Sequence, residues 1–382
     1  MAKQKATDEQ IIQAYHDHGS QRLAAEALGM SSRNFERRLA KMRQSEARIQ
    51  PIVPDGQVLR GVSTLVDVVD PLSGEVRQQW IKTKCVPKTE QEAEAIQAEV
   101  LSGFNDKIVR ATPVKRKTKK VVADMANLHV ITDYHLGMLA WDKEAGEDWD
   151  LDIAERLLLD TMKYAVKRAP AAEQGILCQL GDFLHYDSFE SVTPRSKHVL
   201  DSDSRPQKMI GVAIRVLKQT VEIMLQKYET VHVLMAEGNH DIIGSAWLRE
   251  SFDVLYENEP RVTVETRPDP YYCFVWGDVA LFFHHGHLKP PASIDTVFAR
   301  KFREEYGAAK FAHAHLGHLH HEKKLETTLM KVEQHPTMAA ADAHASRGGW
   351  MSDREMKVLT YHKKYGPYGW FTITPQMVKD NA

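Results

Sequence analysis

The chain has 382 residues, 43% hydrophobic and 27% charged, with a net charge of -2; this suits a globular protein with a sizeable core and two or three domains. So even a balance excludes a globally basic nucleic-acid binder or membrane-surface protein, and any basic surface has to be local. Cys85, Cys178 and Cys273 lie far apart without metal-ligand spacing, as reduced thiols in a reducing compartment would. The opening residues lack the apolar stretch of a signal peptide, and no apolar run approaches the ~20 residues of a membrane span. The expectation is a cytoplasmic protein with no membrane partner.

Residues 1–48 form the first expected domain. Thr7 with Gln10 spells a capping box, and Ile11, Ile12 and Tyr15 make an apolar stripe at helical spacing. His18-Gly19-Ser20 breaks that helix. Residues 21–28 suit a second helix packed through Leu23, Ala24, Ala27 and Leu28. After Gly29-Met30-Ser31, Ser32 can cap a third helix carrying Phe35, Leu39 and the cations Arg33, Arg37, Arg38, Lys41 and Arg43. A small Ala pair, Leu-Gly four residues on and a basic third helix together resemble the helix-turn-helix family. That resemblance implies a small all-α domain whose last helix enters the major groove, with Arg33, Arg37, Arg38 and Lys41 as DNA contacts. The charge footprint is mild, with nine Lys and Arg against six Asp and Glu over residues 1–48. Such shapes also dock proteins, so a protein partner stays open here, as does a homo-oligomer.

Residues 49–124 read as a β-hairpin and basic linker region. Residues 58–69 and 76–84 are rich in β-branched side chains and flank Asp70-Pro71-Leu72-Ser73-Gly74, a hairpin loop. Residues 90–101 suit a short acidic helix. Lys115-Arg116-Lys117-Thr118-Lys119-Lys120 reads as a solvated linker, with phosphate contact as the alternative.

From 125 to 382 strands and helices alternate. Residues 127–132, 175–180, 231–236, 279–283 and 311–316 are short apolar runs typical of buried strands, with helices over 151–168 and 209–228 between them. Each run ends in a polar cluster: Asp133-Tyr134-His135, Gly181-Asp182-Phe183-Leu184-His185, Gly238-Asn239-His240-Asp241, His284-His285-Gly286-His287 and Gly317-His318-Leu319-His320. Open α/β sheets place ligand sites at these strand ends. Oxygen and imidazole donors from several of them are what a two-metal hydrolytic site requires.

In this order the five clusters resemble the calcineurin-like metallophosphoesterase superfamily, whose pattern is DxH, GDxx(D/H), GNH(D/E), H and GHxH, over about residues 125–335. The resemblance implies a four-layer αββα sandwich holding two divalent ions. Manganese is the first expectation, with iron, zinc or nickel as alternatives. Asp133, His135, Asp182 and His320 would take one ion; Asp182, Asn239, His285 and His318 would take the other. A pair of ions lowers the pKa of water toward neutrality and so supplies hydroxide for in-line attack on phosphorus. His240 would serve the leaving oxygen, with Asp241 orienting its ring. His285 is preferred to His284 because the fourth motif sets its ligand directly before glycine.

The extended GDxVDRG motif of the superfamily's protein phosphatases is absent; Gly181-Asp182-Phe183-Leu184-His185 is closer to its DNA-repair exonucleases, which implies an assisting role for His185. His313 and His315 read as structural, and His321, His335 and His344 as surface or packing residues. The polar loop 188–207 is either solvated or grips substrate. The segment 361–365 either stacks bases or closes the second sheet. The leading reading is a DNA nuclease or DNA-end processing enzyme tethered by a helix-turn-helix. A phosphatase or phosphodiesterase acting on phosphoprotein, nucleotide or cyclic nucleotide, and a DNA-binding regulator with a silent metal site, are the alternatives.

Overall fold

The structure is a computed structural model and describes residues 6–45, 62–69, 76–83, 110–117, 121–194, 197–350 and 352–381. Side chains of residues 9, 39–45, 62–69, 76–83 and 344 lie outside that description, as do the acidic helix expected over 90–101 and the loop 70–74. Backbone proximity groups the chain into Met1–Lys107 and Ile108–Ala382.

In the first unit, α1 (Asp8–His18), α2 (Gln21–Ala27) and α3 (Ser32–Ser45) follow one another through short turns. Thr7 and Gln10 close the capping box, and Gly19 ends α1 in the left-handed region at φ 64, where glycine meets no Cβ clash. The core is Ile11, Ala14, Ala24, Ala25 and Phe35. Two expectations are corrected. Helix α2 packs through Ala24 and Ala25, while Leu23 and Ala27 are exposed. Ser31 rather than Ser32 caps α3, its hydroxyl accepting from the Asn34 N–H at 3.3 Å. Strands β1 (Val62–Val69) and β2 (Val76–Thr83) form the antiparallel hairpin, with Val69 opposite Val76.

The second unit begins with a strap. The Ala111 and Lys117 N–H groups donate to the carbonyls of Leu255 and Gln226, Arg261 donates to the Val114 carbonyl, and Arg116 pairs with Glu229. The basic run is therefore partly pinned, not a free linker; residues 118–120 lie outside the described set. Beyond it, in chain order, come β3 (Met125–Ile131), α4 (Asp142–Ala145), α5 (Leu151–Arg168), β4 (Gln174–Gln179), α6 (Pro206–Leu225), β5 (Thr230–Met235), α7 (Ile242–Tyr256), β6 (Val262–Val264), β7 (Tyr272–Trp276) and β8 (Val279–Phe283). The chain continues through α8 (Ile294–Lys301), α9 (Arg303–Ala308), β9 (Phe311–Leu316), β10 (Lys323–Glu326), β11 (Lys331–Gln334), α10 (Ala343–Gly348), β12 (Met356–His362), β13 (Gly366–Ile373) and α11 (Pro375–Lys379). Pro206 at the first turn starts α6 earlier than expected, its fixed φ being preset for a helix.

One sheet runs β13-β12-β3-β4-β5-β6 and the other β10-β11-β9-β8-β7. Strands β3 to β6 are mutually parallel, as are β8, β9 and β11. Alternation along each strand decides which face a residue serves. On β3, Ala126, Leu128 and Val130 face the other sheet, joined by Ile176, Cys178 and Leu234 and met by Tyr272, Leu281 and Phe283. Their neighbours Ile131, Leu177 and Val233 instead pack with Leu158, Val216 and Phe252 of the helices. The second sheet sends Ala280 and Phe282 outward onto Phe298 and Phe302 beside α8 and α9. The result is helix, sheet, sheet, helix, the expected four layers. Strands β12 and β13 join the sheet containing β3, so of the two readings of segment 361–365 the one that closes the second sheet is corrected. Among the described residues no helix is long and apolar enough to cross a membrane.

Buried polar groups tie the layers together. Tyr228 reaches Asn127 at 3.2 Å and His129 at 2.8 Å through its hydroxyl. Burial, aided by Lys227, pushes the His129 ring down to about 3. Burial likewise lowers His232, His313 and His335 to about 4. Each is neutral when folded and takes a proton below its ordinary pKa of roughly 6.5 once unfolded. Their depressed values mean the stability they contribute is complete above pH 6.5 and declines as pH falls toward 4. Denaturant midpoints at constant salt should therefore fall steadily between pH 7 and pH 5; an unchanged midpoint over that range would contradict this burial of neutral imidazoles.

Candidate metal centre

The site lies where the carboxyl ends of β3, β4, β5, β8 and β9 meet. Backbone pairing continues past the strands: the N–H groups of Asp133, His135 and Leu136 donate to the carbonyls of Gly181, Asp182 and Phe183. In these loops and the one after β9, Asp133, His135, Asp182, His318 and His320 all adopt positive φ, between 46° and 78°. Non-glycine residues there cost about 1–3 kcal/mol each and persist only where surroundings hold them.

Asp241 supplies much of that hold. Its buried carboxylate accepts the N–H groups of Asp182, Phe183, Leu184 and Gly238 at 2.8–3.1 Å. Burial and the neighbouring Asp182 raise its pKa to about 7, against those four donors. This corrects the expected role, since the His240 ring is oriented instead by the carbonyl of His185, which accepts from its Nδ1–H at 2.8 Å. Gly238 is required by contact: a Cβ there would sit 1.9 Å from Asp182 Oδ1.

Two ligand sets face each other. Asp133, His135 and His320 offer donor atoms within 4.8 Å of one another, and so do Asp182, His285 and His318. Asp133 Oδ1 lies 3.2 Å from His320 Nε2, whose ring is 3.3 Å from His135 Nε2. His285 Nε2 lies 3.1 Å from Asp182 Oδ2, 3.2 Å from Asn239 Oδ1 and 3.8 Å from Asp133 Oδ1. Its other nitrogen donates to the Leu180 carbonyl at 2.8 Å, fixing which edge faces the carboxylates. His284 turns away, stacking on Tyr271 and accepting from the Gly286 N–H. All seven expected ligands, Asp133, His135, Asp182, Asn239, His285, His318 and His320, are thus brought together.

The electrostatics say what the cluster requires. Burial opposes charge on Asp133 and Asp182, yet His285 with His320, and His285 with His240, hold the two below the ordinary carboxylate range. Burial would likewise discharge His285, but Asp182 and Asp133 outweigh it and raise it to about 10. Without a metal, a proton would have to serve as the cation between these carboxylates. Fully buried Asp133 Oδ1 meets only the ring nitrogens of His320 and His285, at 3.2 and 3.8 Å, and a cation between them would compensate its buried charge. Oxygen and imidazole donors suit a divalent transition metal. The donor set fits, and Asp182 is placed to serve both sides.

His185 is buried behind His135, its Nδ1 3.3 Å from that ring, and burial with His240 nearby pushes it down to about 3. Buried as it is, it also shares a metal-compatible trio with His135 and His240, their donor atoms lying within 4.8 Å of one another. Thr132 and Thr337, not foreseen in sequence, secure Asp133 by donating to Oδ2 at 2.5 Å and to its carbonyl at 2.7 Å. A threonine in an irregular segment 204 residues away carries no pattern to find it by. His315, Glu333 and His335 form another compatible trio, but Lys357 already donates to Glu333 at 2.9 Å, and His315 bonds His335 and Tyr361 at 2.9 Å. Of the expected DNA contacts, Arg33 and Arg37 are exposed, Arg37 bonding Asn34. Arg38 is instead tied to Asp8 and the Ala6 carbonyl, and the Lys41 side chain lies outside the described residues.

Replacing Asp182 by Asn keeps the shape and removes the shared charge. Elemental analysis of Asp182→Asn should show divalent-metal retention reduced at least about ten-fold; retention equal to the parent would remove Asp182 from the centre.

No protein-family model matches this sequence, and no curated protein matches it. Among solved structures the chain is similar to a conserved uncharacterized protein from Streptococcus pneumoniae described as a predicted phosphoesterase (10% identity, 66% of this chain and 100% of that one, TM-score 0.29). It is also similar to an archaeal phosphodiesterase (10%, 65% and 99%, 0.32) and a dimetal phosphatase from Danio rerio (9%, 65% and 98%, 0.34). At these identities and scores the likeness is too slight to identify the chain.

Proposed function

We propose that this chain is a two-metal phosphodiesterase that cleaves DNA. The observation that supports it most is the pair of facing donor sets around Asp182, drawn from both sheets and closed by buried imidazoles. Divalent ions bound there would act as Lewis acids, polarising a phosphoryl oxygen and lowering the pKa of water. Asp133, His135 and His320 would hold one such ion, and Asn239, His285 and His318 the other, with Asp182 between. The chain's own residues supply the rest. His240 is half-exposed, and its Nδ1–H is committed to the His185 carbonyl, so that the ring in its imidazolium form would deliver the Nε2 proton to the leaving oxygen and be left neutral. The Asp241 carboxylate keeps the backbone of residues 182–184 in place beneath the reacting group.

DNA is favoured as substrate by the three-helix unit. Its α3 carries exposed Arg33 and Arg37, which would dock on the phosphate backbone and raise the local concentration of substrate.

Purified protein with manganese should cleave DNA and hydrolyse bis-p-nitrophenyl phosphate faster than the monoester. Asp182→Asn should abolish both activities, and His240→Ala should slow them about a hundred- to ten-thousand-fold. Undiminished cleavage in either variant, or a preference for the monoester, would overturn the proposal. Arg33→Ala with Arg37→Ala should weaken duplex binding and lower its salt slope by about 2; an unchanged slope would remove α3 from the DNA contact.

A further inference from the structure

Four of the five connections that supply site residues also expose a large apolar side chain. After β3 comes Trp141, 57% exposed; after β4 come Phe189 and Val199, 84% and 85% exposed. At the start of α7, directly after Asn239-His240-Asp241, Ile243 and Trp247 stand four residues apart on one helix face, Trp247 being 42% exposed. Leu319 is exposed between the ligands His318 and His320. Scattered exposed hydrophobics are ordinary, and Tyr368 and Trp370 on β13 are exposed as well, but several on adjoining connections of one site mark a candidate interaction surface.

The connections adjoin one another. The Leu139 N–H donates to the Asp201 carbonyl at 3.1 Å, joining the first loop to the stretch next to Val199. Asp187 accepts the Ile243 N–H at 2.7 Å, joining the second loop to α7. The rim is therefore built from adjoining connections, and its rings Trp141, Phe189 and Trp247 come from three of them, Trp247 on the first turns of α7. The Lys143 ammonium lies 5.3 Å from the Trp141 ring centre, adding a cation beside an aromatic face. Flat rings with an interspersed cation, next to a centre that would grip phosphate, match a strand whose bases are unpaired: bases have faces to stack, and the backbone is anionic. Paired bases offer no free face.

We propose that this rim is a stacking platform for unpaired nucleotides flanking the cleaved phosphate, making single-stranded DNA the preferred substrate form. The inference rests on reading the centre as a DNA phosphodiesterase, and it adds which DNA and which residues select it.

The test uses the full chain and two readouts. With EDTA present, so that no cleavage occurs, fluorescence anisotropy compares a labelled oligothymidylate with an abasic strand of equal length. Stacking predicts that the oligothymidylate binds at least about five-fold more tightly. The preference should shrink to near unity in Trp141→Ala/Trp247→Ala, and equal binding of the two strands by the parent would overturn the platform. With manganese, the double variant should raise KM for the oligothymidylate by a similar factor and leave KM for the abasic strand unchanged, while bis-p-nitrophenyl phosphate hydrolysis by the parent reports the reaction itself. Unaltered oligothymidylate kinetics would also refute the role. Binding to phosphatidylglycerol vesicles that the double variant loses, without a base preference, would reassign the rim to a lipid surface. Failure to hydrolyse the small diester would count against the proposed reaction, while the binding comparison would still judge the platform.

Discussion

Two carboxylates with almost no access to water, Asp133 and Asp182, set the terms for the rest of this molecule. Each has lost its hydration and must find positive charge nearby, because an isolated buried carboxylate would otherwise take up a proton. Imidazoles arriving from the other sheet meet that need in part. His285 leaves the second sheet and His320 follows β9, so the charge balance is achieved only where the two sheets come together. The between-sheet core and the centre are consequently one construction: strands packed through Leu128, Ile176, Leu281 and Phe283 deliver the ligands at their carboxyl ends.

That arrangement asks for an unusual backbone. Five side chains that must turn inward within a few residues of a strand end do so in left-handed conformations. The strain is borne by hydrogen bonds whose only evident task is to hold the loops: four amides gathered by Asp241, a hydroxyl from Thr337 beneath Asp133, and the continued pairing of the loops after β3 and β4. Farther out, the loops carrying Trp141 and Phe189 are joined by their own hydrogen bonds, among them Leu139 to Asp201 and Ala140 to Trp149, while those two rings project outward.

Much of this was legible in the sequence, and the failures share a cause. Short apolar runs ending in Asp, Asn or His located β3, β4, β5, β8 and β9 to within about two residues, since buried parallel strands need continuous apolar character and their ends carry the chemistry. The seven side chains that the family resemblance marked as candidate ligands were findable because they come in local clusters, and the structure brings them together. What escaped detection depends on contacts between distant segments. Asp241 reads as a partner of its neighbour His240, yet its oxygens face amides 57–59 residues away. Arg38 reads as a free cation of α3, yet it meets Asp8 thirty residues earlier. Strands β12 and β13 are amphipathic and could close either sheet; the pairing of β12 with β3 is set by packing and not by local pattern.

The central claim is that the Asp182 carboxylate sits between two metal ions. Anomalous diffraction from crystals grown with manganese measures this directly. Two peaks roughly 3.5–4 Å apart, one beside Asp133, His135 and His320 and the other beside Asn239, His285 and His318, are the result expected. A single peak away from Asp182, or density in which His285 alone bridges the two carboxylates, would contradict it.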